Sequence, residues 1–193
     1  IRERGGALVT GFNLDEFIPE KSKITSEKLW ENYKYFVNAV VPYAEKYGIK
    51  LALHPDDPPI ERLGNVERIM ISKESIQKAI SIYNSPNLGV TMCQATYCMM
   101  GEDVYSTIKE LADKIFFVHF RNVIGTKTKF KETFHDNGVI NMKKAIELYK
   151  KYTPNVPIRV DHVPLMAGET QTTAGYTALG RLFAIGYLKG LMQ

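Results

Sequence analysis

The chain has 193 residues, of which 45% are hydrophobic and 24% charged, and its formal net charge is +4. This composition predicts a single globular domain with a sizeable core and argues against a disordered chain. The basic residues are scattered, so no nucleic-acid partner is expected, whereas a small anionic substrate suits the weakly basic balance.

The cysteine count and the apolar runs bear on where the protein works. Two cysteines, Cys93 and Cys98, are too few for a secreted disulfide framework, so we expect reduced thiols in a cytoplasmic protein. No stretch approaches the ~20 apolar residues of a membrane span, and no membrane partner is predicted. The first residues are not a signal peptide and lack an initiator Met, which predicts a chain that begins part-way through a longer protein.

The predicted elements begin with a long helix and continue as alternating strands and helices. Residues 25–47 have the apolar spacing of a helix, in which Pro42 is expected to introduce a kink and after which Gly48 suits the C′ position. Ser72 and Asn141 are candidate N-caps of later helices. Continuous apolar runs predict strands at 49–54, 88–92, 115–120 and 157–161, and helical spacing predicts helices at 72–83, 103–113, 141–151 and 174–191.

The strand pattern indicates an α/β fold with a parallel sheet. The strands are continuous and apolar rather than alternating, as expected for strands that are buried on both faces. A complete TIM-type (β/α) barrel needs roughly 250 residues. We therefore predict one partial barrel domain over residues 1–193, in which residues 1–48 form a loop and a long helix and residues 49–193 form about four βα units, the C-terminal half of a barrel.

A residue able to bind a metal stands at the end of each predicted strand. These four residues are His54, Cys93, His119 and Asp161. Each alone is more often structural than a ligand, but the carboxyl ends of parallel strands face one active site, so their joint position indicates a metal site. The ligand types do not fix the metal, because imidazole, thiolate and carboxylate together allow Zn, Fe and Mn.

Polar residues beside these four are candidates for substrate binding and proton transfer. Asp56 and Asp57 follow His54 and either bind sugar hydroxyls or cap a turn. Arg121 and Asn122 follow His119, where an arginine can pair with a substrate carboxylate or lie on the surface.

Two further residues are candidates for acid–base work. His162 follows Asp161, and a histidine beside a metal-bound carboxylate can serve as general acid or base. Tyr176 is expected at the start of the last helix, where a tyrosine is a core residue as often as a catalytic one.

Five segments of the sequence resemble the mannonate dehydratase family in order and spacing. They are the His-Pro-Asp-Asp-Pro-Pro run at 54–59 and residues 89–93, 119–122, 160–162 and 175–181. The resemblance covers nearly all of the chain from about residue 49, and the first segment is the most specific. It departs from the family in length, because the family's chains are far longer and their N-terminal barrel half is missing here.

The resemblance implies a function and a set of roles. It implies a TIM-like barrel that removes water from D-mannonate to give 2-keto-3-deoxy-D-gluconate in hexuronate breakdown. It implies Mn²⁺ as the usual divalent metal, with Fe²⁺, Co²⁺ and Zn²⁺ as possible substitutes, bound by the four strand-end residues. It also implies that His162 and Tyr176 are the acid–base pair, without deciding which is the acid, while Asp56, Arg121 and Asn122 are expected to contact the sugar acid.

Two other functions remain open from the sequence. One is a xylose-isomerase-like sugar isomerase or epimerase, which Cys93 and the run at 54–59 argue against because such ligand sets are usually richer in carboxylates. The other is a non-catalytic half-barrel that binds a metal or sugar acid, which the short length suggests. The expected protein partner is either a second copy of the chain or the missing half of the barrel.

Overall fold

The computed structural model describes residues 1–17, 24–170 and 173–193. The helices and strands follow one another as β1 (Gly11–Asn13), α1 (Ser26–Tyr47), β2 (Leu51–Leu53), β3 (Arg62–Leu63), β4 (Val66–Glu67), α2 (Lys73–Ser81), β5 (Leu88–Cys93), α3 (Gln94–Met100), α4 (Val104–Glu110), β6 (Ile115–Phe120), β7 (Val123–Thr126), β8 (Lys129–Glu132), α5 (Met142–Tyr152), β9 (Ile158–Val160) and α6 (Ala178–Met192). Three short 3₁₀ turns, at Arg4–Gly6, Leu14–Glu16 and Ala112–Lys114, complete the described elements.

The centre of the molecule is a four-stranded parallel sheet in the order β2-β5-β6-β9. The strands are the four predicted ones, and each pair of neighbours is connected through a helix, which confirms the α/β fold with a parallel sheet. The pairing places Cys93 beside His119 at the carboxyl end of the sheet. All four strands therefore end on the same side of the sheet, where the candidate ligands lie.

The main core lies between one face of this sheet and the helices. Val90 and Met92 of β5 and Val118 and Phe120 of β6 alternate with residues of the opposite face, and all four are buried in this core. Helices contribute further fully buried side chains, among them Val37, Val41, Ile76, Ala79 and Ile146. The opposite face carries the residues that alternate with these, including Cys93 and His119.

Several predicted helix ends are confirmed by their capping contacts. The Ser72 hydroxyl accepts from the Ser75 amide and forms a reciprocal capping box at the start of α2. The Asn141 side chain accepts from the Lys144 amide at the start of α5. Gly48 ends α1 at φ +66°, a left-handed conformation that favours glycine. Pro42 lies within α1, which continues past it to Tyr47 rather than ending there.

An antiparallel ribbon, one additional helix and the start of the last helix differ from the prediction. Strands β7 and β8, which follow β6, pair with β1 near the start of the chain in a three-stranded antiparallel sheet, and α3 follows Cys93 without a linker; neither was predicted. The last helix starts at Ala178, not near residue 174, because Gly175 adopts φ +111° and pairs with Val163 as an isolated bridge. Tyr176 therefore lies in a loop before α6 rather than at the start of the helix.

No helix in the described parts of the chain is both long enough and apolar enough to cross a membrane.

Candidate metal centre and acid–base site

Three of the four predicted ligands form one cluster at the carboxyl end of the sheet. His54 follows β2, Cys93 ends β5, and His119 lies near the end of β6. One ligand atom from each residue lies within 4.8 Å of the others, and this is the one such group among the described residues. The Nε2 atom of His54 is 3.0 Å from the Nδ1 atom of His119.

Asp161 lies beside this cluster, directly after β9. Its Oδ2 atom is 3.5 Å from the Nδ1 atom of His119, and the side chain is almost fully buried. Burial alone would raise the pKa of Asp161, but His162, Arg121 and His119 outweigh it and lower the pKa. The carboxylate is therefore ionised and available as an oxygen ligand, although it lies outside the compact group of three.

Cys93 is held as a thiolate by its surroundings. The side chain is fully buried, and burial raises the pKa of a thiol, but the charge of Arg121 and hydrogen bonds with His119 and His54 outweigh burial and lower the pKa to about 5. The Thr96 hydroxyl donates to Sγ at 3.1 Å. A buried thiolate among two imidazoles is the form of cysteine that binds metals.

The donor set fits a divalent metal. Ligand atoms bound tetrahedrally at roughly 2.0–2.3 Å from one ion lie about 3.3–3.8 Å apart, and the ligand atoms of this cluster all lie within 4.8 Å of one another. The Nδ1 atom of His54 donates to the Pro55 carbonyl at 2.6 Å, which leaves Nε2 as the ligand atom. Two imidazoles, one thiolate and a neighbouring carboxylate together suit Mn, Fe, Co and Zn.

The sequence suggested that Arg121 pairs with a substrate carboxylate or lies on the surface. In the structure it is buried next to this cluster instead. The side chain is 1% exposed. Its guanidinium forms ion pairs with Asp57 and Glu132, and its Nε atom lies 3.7 Å from Asp161. Its Nη2 atom also donates to the Thr96 hydroxyl at 2.9 Å. The guanidinium is thus surrounded by protein carboxylates, a geometry that favours a role in holding these acids together.

Asn122 and Asp56 also form hydrogen bonds with backbone groups of the protein. The Asn122 amide donates to the carbonyls of His135 and Ile140, and its oxygen accepts from the amides of Val123 and Ile140. These four contacts use every hydrogen-bonding position of the side chain. Asp56 accepts from the amides of Ile69 and Met70. Both contact sets favour support of the loops around the site over direct contact with a substrate.

His162 and Tyr176 lie together, and Nε2 of His162 is 3.9 Å from Oδ2 of Asp161 beside the candidate cluster. The Nε2 atom of His162 is 2.8 Å from the Tyr176 hydroxyl oxygen, and its Nδ1 atom is 2.6 Å from Oε1 of Glu132. Because β9 ends at Val160, the side chain of His162 is free to turn toward Asp161. Burial lowers the pKa of His162, but the hydrogen bond and charge of Glu132 outweigh burial and raise it. Tyr176 is 61% exposed, so the pair is open to small molecules.

Two acids of the site have contacts that the sequence did not indicate, Asp57 and Glu132. Asp57 was expected, like Asp56, either to bind sugar hydroxyls or to cap a turn, whereas its carboxylate forms an ion pair with Arg121. Glu132 is buried on β8, where it alternates with the buried Phe130 between exposed or half-buried lysines. The sequence carried no recognisable signal for Glu132, because its burial becomes apparent only once β8 is known to be a strand.

A parallel α/β sheet with a histidine–cysteine–histidine cluster at its carboxyl end defines a domain of the metal-binding, TIM-barrel-like class. The model of the D-mannonate dehydratase (UxuA) family matches residues 12–193. The chain belongs to the D-mannonate dehydratase family. It is 37% identical over 180 residues to mannonate dehydratase from Oceanobacillus iheyensis, an alignment that covers 91% of this chain and 51% of that protein.

Solved structures agree with this assignment. The crystal structure of mannonate dehydratase from Streptococcus suis serotype 2 matches with a TM-score of 0.89 and 30% identity, over 99% of this chain and 60% of that one. The IolI protein with a bound zinc atom matches with a TM-score of 0.62 and 16% identity, over 91% of this chain and 60% of that one, and it supports the fold alone. The chain spans about half the length of the curated relatives it matches.

Proposed function

We propose that this chain carries the metal centre and the acid–base pair of a D-mannonate dehydratase, which converts D-mannonate to 2-keto-3-deoxy-D-gluconate and water. The observation that carries the proposal is the position of the His162–Tyr176 pair beside the cluster of His54, Cys93 and His119. Family membership favours this reaction over a sugar isomerase.

The proposed metal ligands are the three cluster residues and Asp161. We propose Mn²⁺ as the metal, with Fe²⁺, Co²⁺ and Zn²⁺ as substitutes that the same ligands accept. When bound, the ion supplies positive charge that stabilises the negative charge developing on the substrate carboxylate as the C2 proton leaves. The thiolate of Cys93, kept charged by Arg121, is ready to bind the ion without first losing a proton at neutral pH.

The dehydration needs one group to take the C2 proton and one to protonate the C3 hydroxyl as it leaves. His162 and Tyr176 share a hydrogen bond and differ in ordinary pKa, so they form a workable pair, in which either can be the base. The product enol then gains a proton at C3 and becomes the 2-keto-3-deoxy acid. Asp56, Arg121 and Asn122 stay proposed as part of the substrate pocket, where their contacts favour indirect support.

We also propose that the four-stranded sheet is half of a barrel. Within the described residues, β2 and β9 are edge strands that each pair on one side only. The outer residues Tyr43 and Tyr47 of α1 and Leu182 of α6 are more than half exposed. Further βα units, in the same longer protein or on a separate chain, would pair with these edges and cover these side chains. A homo-oligomer is the other way to cover these edges and side chains.

We also propose a cytoplasmic location, which the proposed reaction and the two free thiols favour.

The proposal is tested by assaying the purified chain with D-mannonate and Mn²⁺ and measuring a 2-keto-3-deoxy acid. Elemental analysis and light scattering on the same sample report the metal and the number of copies. We expect product from the chain, or from the chain mixed with the N-terminal half of a relative. A folded, metal-loaded chain that gives no product in either sample would support a non-catalytic binding module. His162→Gln is the control for background elimination.

A further inference from the structure

Glu132 lies outside the parallel sheet, yet its carboxylate contacts the imidazole of His162. It ends β8 of the antiparallel ribbon and is 4% exposed. Its Oε1 atom lies 2.6 Å from Nδ1 of His162, and the opposite ring atom, Nε2, lies 2.8 Å from the Tyr176 hydroxyl. We infer that Glu132 is a positioning residue, which accepts a hydrogen bond from Nδ1–H of His162 and thereby reserves Nε2 for proton exchange. The inference rests on the proposed acid–base role of His162.

The location of the hydrogen follows from the three groups that meet at this point. Arg121 donates to Oε1 of Glu132, as expected of an ionised carboxylate, which can only accept hydrogen bonds. Two lone pairs 2.6 Å apart repel each other, so the hydrogen between Oε1 and the ring must belong to Nδ1. The Nη1 atom of Arg121 also lies 2.8 Å from Nδ1 of His162. If Arg121 donated a hydrogen bond to Nδ1, this nitrogen would carry no hydrogen, and its lone pair would face the lone pair of Oε1 of Glu132.

The carboxylate is held in place by Arg121, the arginine that also approaches the proposed ligand Asp161. Arg121 binds Glu132 through Nη1 and binds Asp57 and the Thr96 hydroxyl through Nη2. The ribbon is therefore fixed to the end of β6, two residues after the proposed ligand His119. A shift of Glu132 would have to break a buried ion pair, so the imidazole has a rigid partner.

The burial of Glu132 also argues for a function beyond stability. Its second oxygen, Oε2, has no hydrogen-bond partner among the described side chains. A buried carboxylate with one unsatisfied oxygen costs stability relative to an apolar residue of similar volume. Such a cost is expected where a charge serves a site, as in hydrolases in which a carboxylate sets the histidine tautomer and its loss lowers kcat by about 10⁴-fold.

Imidazole tautomers can be measured directly in this chain, which has only four histidines. The experiment records long-range ¹H–¹⁵N correlations of the metal-free chain at about pH 8.5, where free histidine is neutral. His162→Gln identifies the His162 signals by their loss. We expect the Nδ1–H tautomer at His162 in the wild type and a mixture of tautomers in Glu132→Ala. The Nε2–H tautomer in the wild type would overturn the inference, whether or not the chain is active.

Kinetics give the second readout, with a matched control at a residue that contacts the same ribbon. Glu3 is also a buried glutamate, and it is bound to Lys131, the neighbour of Glu132 in β8. In an active sample, Glu132→Gln should lower kcat by about 10²-fold or more with KM changed less than about threefold, while Glu3→Gln leaves kcat unchanged. Glu132→Ala should regain part of its kcat with added formate.

Failure of the proposed function can be distinguished from failure of the positioning role of Glu132. A wild-type chain without product fails the proposed function, while its NMR spectrum still decides whether Glu132 sets the tautomer of His162. An active wild type whose folded Glu132→Ala variant keeps its kcat overturns the positioning role alone.

Discussion

The Tyr176 hydroxyl oxygen lies 2.8 Å from Nε2 of His162, and the two rings meet edge to face at 81°. Two arginines, Arg159 and Arg181, lie within 6.0 Å of the centre of the tyrosine ring. The hydroxyl is thus directed at the imidazole, and two guanidinium groups lie near the aromatic ring. This arrangement favours exchange of a proton between the two side chains.

The first prediction concerns this hydroxyl. Tyr176→Phe removes one member of the acid–base pair, so turnover of D-mannonate should fall by about 10²- to 10⁴-fold, while the bound metal and the fold are unchanged. Initial rates, elemental analysis and thermal unfolding measure the three quantities. Tyr47→Phe on the exposed face of α1 is the matched control. Normal turnover in Tyr176→Phe would exclude the tyrosine from the chemistry.

The second prediction concerns the sulfur ligand. Cys93→Ser replaces a thiolate, which the site keeps charged, with a hydroxyl that stays protonated at neutral pH. Metal affinity should fall by more than about tenfold, most strongly for the softer Zn²⁺. Titration calorimetry on the metal-free chain measures it. Cys98→Ser is the control, because Cys98 is the other free thiol and faces the apolar core. Equal affinities in the two variants would remove Cys93 from the ligand set.

The third prediction concerns the arginine beneath the cluster. Arg121→Met leaves Asp57, Glu132 and Asp161 without their shared positive charge in a buried place, so the free energy of unfolding should fall by about 3–5 kcal/mol. Urea denaturation of the metal-free chain measures the loss. Arg62→Met on the exposed side of β3 should cost less than about 0.5 kcal/mol. If both variants unfold at the same urea concentration, the buried ion pairs have no net role in stability.

The fourth prediction concerns pH and a histidine outside the proposed chemistry. His135 is fully buried, its Nε2 donates to the Phe120 carbonyl, and burial lowers its pKa from 6.5 to about 4. The unfolded chain therefore binds this proton more readily, so the stability is complete above pH 6.5 and is lost as the pH falls toward 4. The loss should reach about 3 kcal/mol, since one pKa unit corresponds to about 1.4 kcal/mol.

His135→Gln keeps a donor near the Phe120 carbonyl but has no titrating group. Its free energy of unfolding should change less than that of the wild type between pH 7 and pH 4.5, when both are measured in urea without metal. The difference between the two slopes isolates His135 from the other acids of the chain. Parallel curves would mean that His135 does not titrate in this range.

The parallel sheet could be predicted because its signal is local. The runs at 88–92 and 115–120 are continuous and apolar, and the metal-competent residues that follow each strand reach one edge of the sheet for topological reasons alone. The ribbon gave no such signal, since Gly125 and alternating lysines interrupt its apolar pattern. Helix α3 is short and buried on nearly every side, so it lacks the periodicity by which helices are recognised.

In the candidate site, too, some features could be predicted from local sequence signals and others could not. The three residues of the cluster could be inferred from their strand ends, and His162 and Tyr176, which lie together, were indicated by the family resemblance. The contacts of Arg121 with Asp57 and Glu132 join residues 64 and 11 positions apart in the chain, and nothing in the sequence brings them together. The sequence therefore indicated an arginine near a substrate, whereas its buried position follows from the tertiary structure.

The ribbon after β6 makes metal binding and proton transfer separable in design. The proposed ligands belong to the sheet, so an unrelated barrel with suitable strand ends could accept them as a graft. The carboxylate that faces His162 comes from the insertion formed by β7 and β8 and would not be transferred with them. A barrel engineered with the four ligands and the His162–Tyr176 pair alone would bind the ion, yet its imidazole would be free to rotate and would give a poor catalyst.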